Sequence, residues 1–246
     1  MTTTPAAPPP GRPRRVVTDR RGGRSASPYD SFNLGGHVGD DPAAVAANRD
    51  RLAAELSVPV GQLVWMTQVH GTGVAIVEDA EENPVADVDA LVTATPGLVL
   101  CVLAADCVPV LLADPVAGVV AAVHAGREGV RRGVVPAALG AMARLGARLA
   151  DVEALLGPAV CGLDYEVPGT MQAEVARVAP AAAVTTRQGT PGLDLRAGLA
   201  EVLRGAGVRQ DVHDPRCTVE DPRLFSHRRD GVTGRQAGVV WLDPAP

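Results

Sequence analysis

The sequence predicts an α+β fold, a single domain of mixed β-sheets flanked by helices. Its central part, residues 98–123, contains three short apolar runs rich in valine and leucine. Aspartate, proline or glycine bounds each run, and such boundaries favour buried strands over helices. The runs follow one another through short turns, which suits antiparallel pairing, whereas neighbouring parallel strands need a long crossover. Helical patterns lie on both sides of this region, so we expect helices to cover the sheets.

The composition narrows the function classes. The chain has 246 residues, is 46% hydrophobic and carries a net charge of −5, so we expect a sizeable core and no nucleic-acid partner. All 23 basic residues are arginine, which excludes a Schiff-base lysine. No secretory signal and no membrane-length apolar run is visible, so we expect a cytoplasmic protein with reduced thiols and no membrane partner. We expect Cys101 and Cys161 to be inert core residues and Cys217 to be structural.

The N-terminal part divides into a tail, a strand and a long loop. We expect residues 1–15 to form a disordered tail and residues 16–246 to form the single domain. A first strand is predicted over residues 16–19. The loop that follows is about 20 residues long, a length typical of functional loops, and it contains Asn33 and His37.

The remaining elements follow from caps and periodicity. Asp41 before Pro42 marks the start of a helix, on which we expect Asn48 and Arg49 to be solvated or locally paired. Strands are predicted over residues 63–66, 74–77, 88–93, 98–104, 108–113, 119–123, 155–160, 184–186, 208–213 and 236–242. Helices are predicted over residues 130–148, 170–178 and 195–206. An arginine-rich loop, residues 225–235, precedes the last strand.

Three side chains at the ends of apolar runs have the chemistry of a metal site. Two imidazoles and one thiolate, from His70, His124 and Cys107, suit zinc, and three protein ligands plus water describe a catalytic site. Their spacing is not a tight ligand motif, so two alternatives stay open. Cys107 is a small buried residue beside hydrogen-bonded histidines, or it is a nucleophile with either histidine as base. Asp106 is either a carboxylate that holds a histidine tautomer or a turn residue.

Six segments resemble, in order, the motifs of the YfiH-type, laccase-domain family. These are SFNLGGHVGDDP with the following NRDRL, WMTQVHG, DALVTATPGLVLCVLAADCVPVLLAD, VAAVHAG, LGPAVCGLDYEV and FSHRRDGVTGRQA. The resemblance covers nearly all of the chain after about residue 16. Members of this family have been described first as multicopper polyphenol oxidases and later as purine nucleoside phosphorylases.

The resemblance implies a metal centre and a reaction. It implies that His70, Cys107 and His124 bind zinc, with copper as the alternative, in a catalytic domain of mixed sheets flanked by helices. The implied partners are phosphate and a purine nucleoside (adenosine, inosine, guanosine or methylthioadenosine), with adenosine deamination as a further activity. The alternatives are a copper-dependent polyphenol oxidase and a divergent relative linked to peptidoglycan editing. Five histidines are too few for the several histidine-rich copper sites of a multicopper oxidase. We expect the protein to be a monomer.

We expect the substrate to be held by arginines and amides. Arginine binds phosphate through paired hydrogen bonds, and amide side chains bind nucleosides. The predicted anion-binding residues are Arg49, Arg228, Arg229 and Arg235. The predicted hydrogen-bonding residues are Asn33 and Gln68.

Two departures from the family pattern bear on activity. Where the family has HAGWRG, this chain has HAGREG, so Arg127 and Glu128 replace tryptophan and arginine. A carboxylate facing the phosphate would repel it, unless Arg127, Arg131 or Arg132 compensates. His227 stands where the family has tyrosine. Nucleoside chemistry is therefore expected if Glu128 lies outside the pocket.

Overall fold

The computed structural model of the chain describes residues 11–244. Its strands are β1 (Pro13–Val17), β2 (Leu63–Val64), β3 (Val74–Ile76), β4 (Ala90–Thr93), β5 (Val99–Ala104), β6 (Val108–Asp114), β7 (Val119–Ala125), β8 (Glu153–Leu156), β9 (Ala183–Thr185), β10 (Pro191–Leu193), β11 (Arg209–His213) and β12 (Gln236–Leu242). Its α-helices are α1 (Pro42–Leu56), α2 (Arg127–Arg132), α3 (Val134–Arg144), α4 (Gly169–Ala176), α5 (Leu195–Gly205) and α6 (His227–Asp230).

Two mixed sheets form the centre of the molecule. The first has the strand order β1-β12-β5-β2, and the second has the order β11-β8-β6-β7-β4-β3. The pair β2–β5 in the first sheet and the pairs β3–β4 and β11–β8 in the second are parallel. The remaining neighbours, including β1 and β12, are antiparallel. Strands β9 and β10 form a separate antiparallel pair. The predicted α+β architecture with mixed sheets is confirmed.

The two sheets pack face to face through alternate side chains. Leu100 and Val102 of β5 lie in one buried cluster with Leu111 of β6 and Val120 of β7. Cys101, between the two β5 residues, belongs to the cluster on the opposite face. Both faces of these strands are therefore covered, and for this reason their sequences are continuously apolar although the strands are antiparallel.

Helices cover the outer faces of both sheets. Leu52 and Ala53 of α1 pack on the four-stranded sheet, and Met142 of α3 and Leu199 of α5 pack on the six-stranded sheet. The order of layers is helix, sheet, sheet, helix. The predicted cap of α1 is confirmed, because the Asp41 carboxylate accepts a hydrogen bond from the backbone N–H of Ala43.

The register of the six-stranded sheet brings chemically active residues together at one end of its central strands. Pro109 of β6 lies opposite His124 of β7, so Cys107 precedes β6 at the end where His124 lies. On the other side of β7, β4 begins at Ala90, opposite Val123.

The N-terminal boundary differs from the prediction. β1 begins at Pro13 and pairs antiparallel with β12, so residues 13–15 belong to a sheet and not to the tail expected over residues 1–15. Backbone pairing with an inner strand outweighs the proline-rich composition here. Residues 1–10 lie outside the described part, and their disorder stays a prediction.

Two further boundaries differ for local reasons. The helix predicted over residues 130–148 is two helices, because Gly133 adopts a left-handed conformation with φ of 87° and ends α2. The strand predicted over residues 155–160 is β8, which ends at Leu156 once its pairing with β6 is complete.

The long loop is ordered by one buried amide. The Asn48 side chain accepts a hydrogen bond from the Arg24 N–H and donates to the Ser25 hydroxyl and to the carbonyl groups of Ser31 and Asn33. Asn48 is fully buried, so a solvated role for it is wrong. Its four hydrogen bonds fold the loop against α1.

Candidate metal centre and active site

Three side chains from separate segments converge at the edge of the six-stranded sheet. His70 lies in the turn after β2, Cys107 directly precedes β6, and His124 lies in β7. The Cys107 Sγ is 3.8 Å from the His70 Nε2, and the two imidazole centroids are 4.7 Å apart. The ligand atoms of all three residues lie within 4.8 Å of one another. The sequence thus identified a set of residues that the fold brings together.

A buried carboxylate organises this trio. Asp89, which precedes β4, accepts hydrogen bonds from the backbone N–H groups of His70 and Gly71, at 2.9 and 2.6 Å. Its Oδ1 is also 2.8 Å from the His124 Nδ1. A proton on that nitrogen leaves Nε2 of His124 as the free electron-pair donor, which is the usual arrangement behind a metal-bound histidine. Sequence reasoning missed Asp89, although an acidic residue inside the apolar strand predicted over residues 88–93 was an available signal.

Of the two roles considered for Asp106, the structure agrees with the turn residue, since Asp106 lies in the bend between β5 and β6 with φ of 90°. Its carboxylate accepts hydrogen bonds from the Thr218 and Ser226 hydroxyls, at 2.5 and 2.7 Å, and from the Arg228 N–H at 2.6 Å. It therefore does not hold a histidine tautomer. Instead it ties the segment before β6 to the arginine-rich loop.

Gly126 makes room for the trio. A Cβ atom at this position would lie 2.8 Å from Cδ2 of His70 and 3.1 Å from Sγ of Cys107. The contact with His70 is too short for a real Cβ atom, so a residue larger than glycine would require the His70 ring or the backbone to move.

The thiol and the imidazoles of the trio shift one another's ionisation. Burial raises the pKa of Cys107, but the neighbouring imidazoles of His124 and His70 outweigh it and lower the pKa to about 6. Burial lowers the pKa of His124, but the Cys107 sulfur and the Asp89 carboxylate outweigh it and raise the pKa to about 9. A thiolate and two imidazole nitrogens at these separations fit a transition metal with three protein ligands and an open position.

A cavity of about 350 Å³ opens above the trio. Of the predicted substrate residues, Gln68, Arg228 and Arg235 line it. The Gln68 amide is held at both ends, because it donates to the Leu103 carbonyl and accepts from the Leu103 N–H, both at 2.8 Å. Gln68 therefore forms part of the cavity wall, and its amide is not a free hydrogen-bonding group.

The two arginines present positive charge to the cavity. The Arg235 guanidinium donates to the carbonyl groups of Thr233 and Gly234, and that of Arg228 lies 5.0 Å from the centroid of the Tyr165 ring. Within the described residues, neither forms an ion pair with a carboxylate. Burial lowers the pKa of Arg235, the direction expected for a cation that lacks a counter-ion.

The other three predicted substrate residues are not among the lining residues. Asn33 is buried, and its amide bonds to Gly35, Asp40 and the Arg235 N–H. The Arg49 guanidinium donates to the Leu34 carbonyl and stacks 4.2 Å from the Trp65 ring. Both side chains use polar groups on the long loop and its neighbours, and their contact with substrate stays a prediction.

Arg229 is also structural. Its guanidinium donates to the carbonyl groups of Thr218 and Leu224, at 2.8 and 2.7 Å, and pairs with Asp230. Because its donors face the protein's own carbonyl oxygens, it supports the loop and is not available to an anion in the cavity.

The structure adds lining residues with titratable side chains that the site prediction left out. His37 comes from the long loop and Tyr165 from the segment before α4. Burial and the nearby Arg235 and Arg49 guanidiniums lower the pKa of His37, so its imidazole is neutral near pH 7. Burial and the Cys107 sulfur raise the pKa of Tyr165, so its phenol stays protonated. The length of the loop and the segment SFNLGGHVGDDP were the sequence signals for His37.

The two departures from the family pattern have different positions. Glu128 lies in α2 and forms ion pairs with Arg127 and Arg131, and it does not line the cavity. The Arg131 guanidinium lowers its pKa, so its charge is neutralised locally. His227 does line the cavity, with Nδ1 2.6 Å from the Gly231 carbonyl oxygen.

Comparison with known proteins places the chain in a family. The family described as multi-copper polyphenol oxidoreductase laccase matches residues 14–243. The chain belongs to this family. The YfiH-type resemblance is confirmed by a solved structure of the Bacillus licheniformis hypothetical protein YfiH. That structure has a TM-score of 0.88 and 29% identity, and the likeness covers 94% of this chain and 93% of that one.

Relatives of this laccase-family chain carry another name. It is 59% identical over 232 residues to purine nucleoside phosphorylase Rv2149c of Mycobacterium tuberculosis, covering 94% of this chain and 93% of the relative. It is 58% identical over 227 residues to purine nucleoside phosphorylase SCO2081 of Streptomyces coelicolor, covering 92% and 94%. Over residues 11–244, none of the helices is both long and apolar enough to cross a bilayer.

Proposed function

We propose that this protein is a zinc-dependent purine nucleoside phosphorylase. The observation that carries the proposal is the position of the His70, Cys107 and His124 centre at the base of a cavity that also presents Arg228 and Arg235. A metal centre and unpaired guanidiniums in one cavity suit a reaction between an anion and a neutral organic substrate. The names of the relatives support the same reaction.

In phosphorolysis the protein must bind the phosphate, assist its attack on the sugar and stabilise the departing purine. A phosphate oxygen forms a bond to C1′ of the sugar while the bond from C1′ to the purine nitrogen breaks. The electron pair of that bond goes to the purine, which must then be stabilised or protonated. Zinc held by the trio supplies a Lewis acid that stabilises negative charge or activates water.

The chain's own residues are placed for the other tasks. Arg235 and Arg228 attract and orient the phosphate, because guanidinium donors match its oxygens. The protonated phenol of Tyr165 is a hydrogen-bond donor for the purine, and the neutral imidazole of His37 can accept or donate. Glu128 lies outside the cavity, so the departure HAGREG does not place a carboxylate against the phosphate.

A second activity, adenosine deamination, is favoured by the open position of the metal centre. Three protein ligands leave room for a reactive water, as hydrolytic zinc sites require. The same cavity therefore serves either reaction, and the presence of phosphate decides between the products.

The copper oxidase alternative has less support. A multicopper site needs several histidine-rich centres, and the whole sequence contains five histidines. The peptidoglycan-editing alternative rested on a Glu128 that faces the substrate, and its ion pairs in α2 remove that argument.

An adenosine assay on zinc-loaded protein, with and without phosphate, tests the proposal. We expect adenine that depends on phosphate, and His124→Ala should abolish it. His213→Ala, an exposed histidine outside the cavity, is the matched control and should keep the activity. Inosine formed without phosphate would show deamination alone, and no product from folded, zinc-loaded protein would overturn the proposal.

A further inference from the structure

A second cluster of metal-ligating side chains lies outside the cavity. It consists of Cys161, Asp164, Cys217 and Glu220, whose ligand atoms all lie within 4.8 Å of one another. In sequence the cluster comes from CGLD and CTVE, two segments with a cysteine and an acidic residue three positions apart. This is the spacing of the paired ligands in zinc knuckles, with a carboxylate in place of the second cysteine of each pair.

The backbone turns both segments so that their ligands face each other. The Asp164 N–H donates to the Cys161 carbonyl, and the Asp221 N–H donates to the Cys217 carbonyl, at 3.1 and 2.9 Å. A bridge between Ala159 and Cys217 joins the two segments side by side. Two tight turns from distant parts of the chain thus present one thiol and one carboxylate each to a common point.

The distances within the cluster suit zinc. Oδ2 of Asp164 lies 3.2 Å from Sγ of Cys161 and 3.5 Å from Sγ of Cys217. Around a tetrahedral zinc ion, with ordinary bond lengths, a sulfur and an oxygen ligand are separated by about 3.6 Å. The backbone N–H of Cys161 also donates to the Cys217 sulfur at 3.3 Å, and such a donor stabilises a thiolate.

The surrounding charge is arranged for a divalent cation. Two thiolates and two carboxylates carry four negative charges, which zinc alone does not neutralise. Arg187 supplies one more positive charge, because its guanidinium donates to Oδ1 of Asp164 at 3.0 Å and pairs with Glu220. It contacts the Asp164 oxygen that faces away from the sulfurs, so Oδ2 stays directed at the centre of the cluster.

We propose that Cys161, Asp164, Cys217 and Glu220 form a second, structural zinc site. Four protein ligands and no open position are the mark of a structural site. Cys217 is buried and Glu220 is exposed, so the ion enters from the surface on the Glu220 side.

The second site is connected to the cavity wall through neighbouring residues. Thr218, next to Cys217, donates to the Asp106 carboxylate, and Asp106 is the neighbour of Cys107. Tyr165, next to Asp164, lines the cavity. An ion bound here would fix two segments of the cavity wall from behind without touching the substrate.

Cobalt absorption in a Cys107→Ala background tests this proposal independently of the reaction. That variant removes the thiolate of the first centre, and the remaining cysteine outside the cluster, Cys101, is fully buried. Under a non-chelating reductant, we expect Co²⁺ to give the charge-transfer absorption of thiolate ligation, and Zn²⁺ to abolish it by displacement. Zn²⁺ should also raise the melting temperature of this variant.

Further substitutions assign the absorption to the cluster. Adding Cys161→Ser and Cys217→Ser to the background should remove the band, whereas adding Cys101→Ala, the matched control, should keep it. Glu220→Gln changes an exposed ligand, so it should fold and weaken Co²⁺ binding at least tenfold. The proposal is overturned by folded Cys107→Ala protein without the band, by a band that survives the double serine change, or by unchanged affinity in Glu220→Gln.

Discussion

At the scale of single residues, Asp89 connects the fold to the metal centre. One carboxylate receives the backbone N–H groups that shape the His70 turn and the ring nitrogen of His124. Burial raises the pKa of Asp89, but the hydrogen bonds from His124 and Gly71 outweigh it and lower the pKa, so the group is ionised. It both positions two ligands and places a negative charge behind them.

Asp89→Asn should weaken zinc binding. The amide keeps one acceptor but loses the charge and the symmetric hydrogen bonding, so we expect a 10- to 100-fold loss of affinity, the range typical for such supporting groups. Competition with a chromophoric zinc chelator measures it. Asp151→Asn changes a carboxylate that pairs with Arg148 on the surface and is the control. Equal affinities in the two variants would contradict the role of Asp89.

Gly126→Ala should disrupt the same centre by space alone. The added methyl would lie 2.8 Å from the His70 ring, so either the ring or the backbone must move. We expect loss of bound zinc, measured by mass spectrometry of metals after desalting. Gly140→Ala in α3 meets nothing within 4 Å, so the same chemical change should leave zinc in place. Full zinc occupancy in Gly126→Ala would show that the ligands do not need this close approach.

Arg235→Gln should raise the KM for phosphate. A charged hydrogen bond contributes about 1.5–3 kcal/mol, so its loss corresponds to roughly 10- to 100-fold in phosphate affinity. The KM for the nucleoside should change far less. Steady-state kinetics at varied phosphate measure both, with Arg144→Gln at the end of α3 as the control. An unchanged KM for phosphate would remove Arg235 from the anion site.

At the scale of elements, the junction between α2 and α3 depends on one backbone conformation. Gly133 has φ of 87°, which lets α2 end and α3 begin within one residue. An L side chain in this conformation costs roughly 1–2 kcal/mol. The break therefore sets the direction of α3 relative to α2.

Gly133→Ala should therefore lower the free energy of unfolding by about 1 kcal/mol or more. Gly140→Ala, inside α3, should raise it by about 0.5–1 kcal/mol, because alanine favours the helix. Urea denaturation of both variants measures the difference. A destabilised Gly140→Ala together with a neutral Gly133→Ala would reverse the argument.

At the scale of the whole molecule, the sequence predicted those secondary-structure elements that patterns of apolar residues determine. Continuous apolar runs predicted the central strands, and both faces of those strands are covered. The cap at Asp41 marked the start of α1 correctly. The metal trio was predicted from ligand chemistry and from resemblance, because its members lie at the ends of those runs.

The features that the sequence did not show depend on contacts between distant segments. Asn33 and Arg49 have the right chemistry for a substrate, yet their donors are used by the loop and its neighbours. Asp89 was missed because an acidic residue at a strand end has many uses, and only the register of β4 on β7 places it behind His124. Cys161 and Cys217, expected to be inert or structural, meet two carboxylates only through the bridge between their segments.

One measurement tests the central claim, that the trio and the arginines serve phosphorolysis in one cavity. Zinc-loaded protein is incubated with inosine and phosphate, and hypoxanthine and sugar phosphate are quantified together by chromatography and phosphorus NMR. We predict equal amounts of hypoxanthine and ribose 1-phosphate, and neither product with Cys107→Ala. Hypoxanthine without sugar phosphate, or no turnover by folded protein with zinc bound, would contradict the claim.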